Sequence, residues 1–502
     1  MEVKVQNNWI ETDLDTILER ITNGSSLKQE EDPFKNSFPI TRIETIANES
    51  IDLKRVKYVL PTEKDKERFS LLKGDILFSH INSDKHLGKT AIYDLDITLI
   101  HGINLLLMRP VEQFNSRLLN YLFKYYRFRG KFREVAQRAV NQSSINQKKL
   151  KRFPVPLPPF EEQNRIVAKL DKLFEQLEFI NVSLEKIPVL LKKLRQQVLT
   201  QAVTGKLTEE WRKGKKFDNS FEDHLLRAKN VLIEKKEVRK TSVKPSDIKD
   251  NLGSLPQGWK RVSLYDVANI IDPNPSHRMP EYFPEGIPFL STENITKNGI
   301  NFKKGKKVGE STLLDQINRY KINDGDFIFT RIGTIGKSTY IPVERKYAFS
   351  HAVCIISSYH PKYCNPQYLK FVLSSSKILD QSKEGVQSVG VPDLGMGKVR
   401  AFQIPLMDPE EQKEIISRAN QLFSKIEFIE ERYLMLKVKI KNLPQSILHK
   451  AFSGELVPQL ESDGDARELL EEIRKLKEES GVKAVNGKRK IKKNESSDVE
   501  VS

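Results

Sequence analysis

Two long stretches of the chain carry apolar residues at alternating steps of three and four. The first seam is Ile166, Leu170, Leu173, Leu177, Ile180, Leu184, Ile187, Leu191, Leu194 and Val198. The second is Ile415, Ala419, Leu422, Ile426, Ile429, Tyr433, Leu436, Ile440, Leu443 and Ile447. The step averages about 3.5 residues, the period of a left-handed coiled coil. Each stretch predicts a helix of roughly 44 residues, about 65 Å long at a rise of about 1.5 Å per residue. A seam that long needs cover, and the nearest source is the other seam. Pro188 and Pro444 fall inside these stretches and predict a kink in each, because proline removes a backbone hydrogen bond. Gly205 and Gly454 mark the helix ends. Glu161, Glu162, Glu410 and Glu411 suit the helix starts electrostatically.

Elsewhere the pattern is mixed. "GDILF", "GDFIF" and "STYIPV" are short apolar or alternating runs of strand length. "SRLLNYLFKYYRFRGKFREVAQ" and "PQYLKFVLSSSKILDQS" have helical spacing. These pieces recur in the same order, as a repeat architecture requires. Val155–Leu207 aligns without a gap on Ile404–Leu456 at an offset of 249, with 19 of 53 positions identical. That agreement is too dense for chance. Upstream, the contexts of Trp9 and Trp259 match more loosely, as do "LLKGDILFSHI" and "INDGDFIFTRI". The chain is therefore read as α+β: two mixed α/β modules and two long antiparallel coiled-coil helices in a pseudo-twofold repeat. The expected segments are a module at 1–157, a helix at 158–208, and a charged linker with one short helix near Phe221–Lys236 at 209–255. A second module follows at 256–403 and a second helix at 404–457. A charged, largely disordered tail with a short helix near 466–479 fills 458–502.

Composition narrows the function. A hydrophobic share of 38% supports real cores, while the net charge of +17 favours a polyanionic partner, most simply nucleic acid. Two cysteines, Cys354 and Cys364, without a CxxC, exclude a disulfide scaffold and the usual zinc spacing. With a polar N-terminus and no apolar run near the roughly 18 residues of a membrane helix, the expectation is a cytoplasmic protein that meets no membrane.

Catalytic motifs fail on inspection. "RIGTIGKST" (Arg331–Thr339) resembles a phosphate-binding loop, as does "HINSDKHLGKT" ending at Thr90. The first glycine is replaced by Arg331 in one and Ser83 in the other, and strand-like residues follow where a helix should begin. Both read as glycine turns between strands. "NPQY" at Asn365 reads as a helix start with Pro366 at the first helical position. Pro392–Asp393 with Glu411–Lys413 makes only a forced metal-nuclease pattern. His80, His86, His101 and His351 show no metal spacing, but each could touch DNA.

What remains is basic residues mixed with amides. Lys and Arg neutralise phosphates, whereas Asn, Gln and Arg can read base edges. The DNA-binding candidates in the first module are Lys85, Lys89, Thr90, Arg127, Arg129, Arg133, Arg138, Asn141, Gln142 and Asn146. In the second they are Arg331, Lys337, Ser338, Gln387, Lys398 and Arg400.

The "GW" start at Trp259 with its looser copy at Trp9, "GDILF/GDFIF…GK", "PLPPFEEQ" and "AVTGKLTEEWR/AFSGELVPQ" resemble the specificity subunit of type I restriction–modification systems. The resemblance covers nearly the whole chain except its last few dozen residues. It implies that 1–157 and 256–403 are target recognition domains, each reading half of a split, asymmetric site in double-stranded DNA. It implies that the helices are spacers that dock two modification subunits, with restriction subunits joining later. It implies a non-catalytic chain with no cofactor of its own, S-adenosylmethionine, ATP and Mg being held by the partners. Two other readings compete: a coiled-coil scaffold without a DNA role, and a stand-alone nuclease or methyltransferase.

Overall fold

The computed structural model describes residues 8–84, 86–139, 142–216, 220–243, 252–276, 278–296, 299–384 and 391–479. The long helices span Phe160–Val203 and Pro409–Phe452, 44 residues each. Both run as continuous helix through their prolines, Pro188 and Pro444. No helix among the described residues is long and apolar enough to cross a membrane.

The chain divides into two compact units that cut across the linear segments. One joins Met1–Leu184 to Met435–Ser502, and the other is Glu185–Leu434. Each unit holds one module, the start of one long helix and the end of the other. In the second unit, Leu191, Val198 and Leu199 from the end of the first helix are buried with Ala419 and Ile426 from the start of the second. The two helices therefore run antiparallel there, and Arg195 reaches Glu430 at 3.5 Å across the pair. In the first unit, Ile166 and Leu170 share a core with Leu448, Ala451 and Phe452, again start against end. Burial of seam residues in these start-against-end contacts stabilises the pairing, whereas Ile180, Leu194, Ile429, Leu436 and Leu443 of the expected seams are exposed.

The two modules have the same sheet. In the first, strands Leu18–Asn23, Leu106–Pro110, Ile76–Phe78 and Thr90–Ile92 are neighbours in that order, all antiparallel. In the second, Ala268–Ile271, Val353–Ser358, Phe327–Thr330 and Ser338–Tyr340 take the same places. Ile76–Phe78 and Phe327–Thr330 are buried along their whole length. A strand covered on both faces runs apolar instead of alternating. The aspartate before each of these strands closes its turn: Asp75 accepts Leu72 N–H at 2.8 Å, and Asp326 accepts Asn323 N–H at 2.8 Å.

One glutamine fixes each module to its long helix. Gln163 Oε1 accepts Asn115 N–H at 2.9 Å, and its amide donates to the Pro158 carbonyl at 3.0 Å. Gln412 Oε1 accepts Asn365 N–H at 2.9 Å, and its Nε2 donates to the Tyr363 and Met407 carbonyls at 2.8 and 2.9 Å. Asn115 and Asn365 themselves cap helices Ser116–Phe128 and Pro366–Ser374. The repeated EEQ thus joins the start of a long helix to the start of a module helix.

The neighbouring glutamates differ. Glu411 is buried and fully engaged by Trp259 Nε1 at 2.9 Å, Arg212 at 2.8 Å and Thr208 Oγ1 at 2.7 Å. Glu162 is equally buried beside Trp9 and Gln459, and burial raises its pKa. Its neighbour Arg165 is turned to Asp463 instead, at 2.6 Å.

The charged linker is in part a packed layer. Helix Phe221–Glu234 buries Phe221 and Leu225 in the second unit's core, and Lys229 meets Asp266 at 3.0 Å. Residues 466–479 are helical and bury Ala466, Leu470 and Ile473 in the first unit. The expected disorder beyond residue 479 concerns residues outside those described.

Two predictions follow from buried ionisable groups. Glu411→Gln leaves Arg212 facing a neutral amide and should cost about 2–4 kcal/mol, whereas Glu162→Gln should cost little or stabilise at pH 7, because burial disfavours the Glu162 carboxylate. Thermal unfolding of both variants checks the contrast. His101 is fully buried, its Nε2 3.0 Å from the Leu105 carbonyl, and burial lowers its pKa to about 4. The unfolded chain therefore binds this proton first. Stability contributed by the neutral ring is present above about pH 6.5 and is lost as pH falls toward 4, by at most about 3 kcal/mol. The urea midpoint should drop over that window, and His101→Gln should flatten the drop.

Candidate nucleic-acid interface

The glycine turns sit where two chain segments meet. In the first module, strand Ile81–Asn82 pairs with Gln142–Ser144, which pairs in turn with Gln137–Ala139. Ile145 N–H donates to the His80 carbonyl at 2.9 Å. The turn after "GDILF" is therefore built onto the basic, amide-rich stretch some 60 residues later. In the second module, Ile332 bridges to Asp393. Gly333 N–H donates to the Pro392 carbonyl, and Leu394 N–H to the Arg331 carbonyl, both at 2.9 Å. Each module thus brings together the two segments that carry its candidates.

Asp84 organises the first of these surfaces. Arg133 Nε donates to the Asp84 carbonyl at 3.2 Å, and the Arg138 guanidinium lies 3.9 Å from its carboxylate. The Ser143 hydroxyl also donates to that carboxylate. Arg129, Arg133 and Arg138 are exposed. Asn146 is exposed at the cap of helix Gln147–Lys151, where its side chain accepts Lys149 N–H at 2.8 Å. In the second module Lys398 and Arg400 are half-buried on helix Met396–Ala401, with Arg400 reaching the Ile270 carbonyl at 3.4 Å. Lys85, Asn141 and Gln387 lie outside the described residues. Gln142 is placed by its strand alone.

Several candidates are turned inward and hold the fold. Thr90 is 1% exposed, in the strand that follows the first turn. Arg331 is 2% exposed, with its guanidinium 3.0 Å from Asp393. A buried guanidinium needs such a carboxylate, so Asp393 is an ion-pair partner, not part of a nuclease centre. The Lys89 ammonium donates to the Ala47 carbonyl, and that of Lys337 to the Ile295 carbonyl at 3.2 Å. The repeated lysine is a clip onto a backbone carbonyl. Ser338 shares a hydrogen bond with Ser374 at 2.8 Å. Arg127 is tied to Glu49, and burial lowers its pKa. Among the histidines, His80 and His101 are buried, and burial lowers the pKa of both.

The turn glycines are dictated by space. Gly88 has φ +75°, and a Cβ there would lie 2.4 Å from the Phe132 ring. Gly336 has φ +91°, and a Cβ would lie 2.1 Å from Leu379. These glycines let a helix approach the turn, which gives the repeated GK sequence a packing role. Sequence reasoning missed Asp84 and Asp393 as organisers of the surface. The signal was present as an acidic residue within each basic, amide-rich neighbourhood. The cysteines are buried, and burial pushes both thiols up to about 12, far from a nucleophile's range.

The first surface presents exposed cations and an amide on an antiparallel framework, and the second presents half-buried cations, groups that can grip phosphates and read base edges. Comparison with known proteins bears on the same regions. The sequence profile of the type I restriction modification DNA specificity domain matches twice, over residues 7–189 and 256–437. A protein of Methanocaldococcus jannaschii assigned as the MjaX type I restriction enzyme specificity subunit is 30% identical over 470 residues, covering 90% of this chain and 95% of that one. The EcoKI specificity subunit of Escherichia coli K12 is 26% identical, covering 97% and 99%. A structure described for complex assembly and conformational transition of the type I R-M system aligns with TM-score 0.56 at 17% identity, covering 90% of this chain and all of that one. The HsdS subunit of Thermoanaerobacter tengcongensis aligns with TM-score 0.50 at 17% identity, covering 90% and 98%. With both halves of the chain matched, each over a module and most of its helix, the protein belongs to the type I restriction–modification DNA specificity family.

Proposed function

We propose that this chain is the DNA-reading specificity subunit of a type I restriction–modification complex. The observation that carries the reading is duplication with divergence. Two modules share one sheet order, yet the segments built onto their glycine turns differ, "RAVNQSSINQ" against "VPDLGMGKVR". Two different readers on one scaffold suit an asymmetric, bipartite target in double-stranded DNA. The exposed candidates Arg129, Arg133, Arg138 and Asn146 in the first module, and the half-buried Lys398 and Arg400 in the second, are proposed to face the DNA. Lys85, Asn141, Gln142 and Gln387 are kept as candidates from sequence.

The chain itself is proposed to be non-catalytic. S-adenosylmethionine, ATP and Mg would be held by partner subunits in the cytoplasm. Two modification subunits are expected to dock on the long helices, with restriction subunits joining the complex. Support comes from apolar residues that both helices leave uncovered at equivalent repeat positions. Phe179 is 74% exposed and its counterpart Phe428 57%, while Val189 and Val438 are 56% and 62% exposed. Large apolar side chains left in water twice at matching positions suit a partner that binds twice.

Two experiments test this reading. Exchanging residues 8–153 for the module of a relative should change one half of the methylated sequence and leave the other intact, as read by base-resolution methylome sequencing. A change in both halves, or in neither, would sink the two-reader scheme. Phe179→Ala with Phe428→Ala should weaken assembly with modification subunits by at least about tenfold, measured by sedimentation, while leaving the chain's own melting temperature nearly unchanged.

A further inference from the structure

The second module carries a charged surface that the first does not. Beside its main sheet lies a small wing in which Lys307–Val308 pairs antiparallel with both Tyr282–Phe283 and Ile287–Leu290. Residues 301–306 lead into it and are all exposed. Lys303, Lys304 and Lys306 lie on this stretch and Lys307 follows, and no ion pair to any of the four is recorded among the described residues. The Lys306 ammonium sits 4.1 Å from the centre of the exposed Tyr282 ring. Met279, Phe283 and Phe302 are exposed nearby in sequence.

Charge balance sets this wing apart. Over the described residues of 278–309, five cations (Arg278, Lys303, Lys304, Lys306 and Lys307) outnumber three carboxylates (Glu281, Glu285 and Glu293). The first module has its own wing, with Phe38–Ile40 paired to Lys57–Val59. Residues 28–59 there hold six cations (Lys28, Lys35, Arg42, Lys54, Arg55 and Lys57) and six carboxylates (Glu30, Glu31, Asp32, Glu44, Glu49 and Asp52). Several are mutually paired: Lys28 with Glu30 at 3.0 Å, Lys57 with Glu31 at 2.5 Å, and Arg55 with Asp52 at 3.2 Å. The same place in the fold is neutralised in one module and left cationic in the other.

The cationic wing adjoins the candidate interface. Thr292 Oγ1 donates to the Ile332 carbonyl at 2.8 Å, and Lys337 donates to the Ile295 carbonyl at 3.2 Å. The wing is therefore fastened to the turn that meets the 391–394 segment. Lysines are compact, strongly hydrated charges on flexible stems, suited to phosphates and poorly suited to discriminating bases.

We propose that the wing of the second module grips the phosphate backbone of duplex DNA through Lys303, Lys304, Lys306 and Lys307. The two half-sites are then held by unlike forces, the second by a strongly salt-dependent one. This rests on the specificity-subunit reading and adds to it which module supplies the electrostatic hold. Each neutralised phosphate releases counterions, so the grip registers in the salt dependence of binding, not in the sequence bound.

The test compares two quadruple variants, each assembled with the modification subunits. K303Q/K304Q/K306Q/K307Q removes the wing charges, and glutamine keeps much of the apolar stem. K28Q/K35Q/K54Q/K57Q does the same to the balanced wing. Binding to a duplex holding the wild-type methylation sequence is titrated across salt. The second-module variant should flatten the log–log slope by roughly 3–4, so that from roughly 50 to 200 mM salt it loses about a hundredfold less affinity than wild type. The first-module variant should leave the slope unchanged, and both should methylate the wild-type sequence. An unchanged slope in the second-module variant, equal flattening in the two, or an altered methylation sequence overturns the proposal. A wild-type complex that methylates no bipartite sequence overturns the specificity-subunit reading itself, a separate result.

Discussion

A single buried amide at the start of each long helix fixes how the module beside it is placed on that helix. Gln163 and Gln412 each accept one backbone N–H from a module helix and donate to carbonyls on the approach to the long helix. A primary amide has an acceptor oxygen and a two-proton donor nitrogen on one rigid plane, so it can join two backbones that have no other reason to meet. A glutamate could accept but not donate, and a lysine could donate but not accept. With that joint fixed, the orientation of each sheet follows that of its helix. The surface carried by the sheet follows in turn.

On this joint the two halves agree in what is buried and differ in what is exposed. The sheets share one strand order, the aspartate turns share one hydrogen bond, and each glycine turn is clipped by a lysine. Differences begin where side chains meet water, in the wing charges and in the segments after each turn. They also reach one interior position. Glu411 has an arginine, a threonine and a tryptophan around it, whereas Glu162 sits beside a tryptophan with its nearby arginine committed to Asp463. Duplication preserved the carboxylate in both halves, but the arginine that neutralises it only in one.

The fold was legible to the extent that it rests on periodicity. The 3.5-residue seams located both helices, and "Asn–Pro" marked the start of a module helix at Pro366. Self-comparison revealed two modules because buried positions change slowly between copies. In the linker the sequence located the short helix near Phe221, but not its packing against the second module. Phe221 and Leu225 at helical spacing were enough to dock it. The candidate surface was less legible. Arg331 and Thr90 look like surface contacts in a list of basic and hydroxyl residues. Their burial depends on strands whose partners lie tens of residues away, as Asp393 does from Arg331. Sequence spacing cannot show whether a lysine points to solvent or to a carbonyl, so Lys89 and Lys337 were unreadable as clips.

Those clips also bear on what the chain can become. Lys89 and Lys337 bind main-chain carbonyls, of Ala47 and Ile295, residues with nothing in common as side chains. A bond to the backbone is indifferent to the identity of the residue that supplies it. Residues around the turn can therefore be replaced over generations without loosening its anchorage. Such a scaffold separates the inheritance of shape from the inheritance of preference, and lets the second drift quickly while the first stands still.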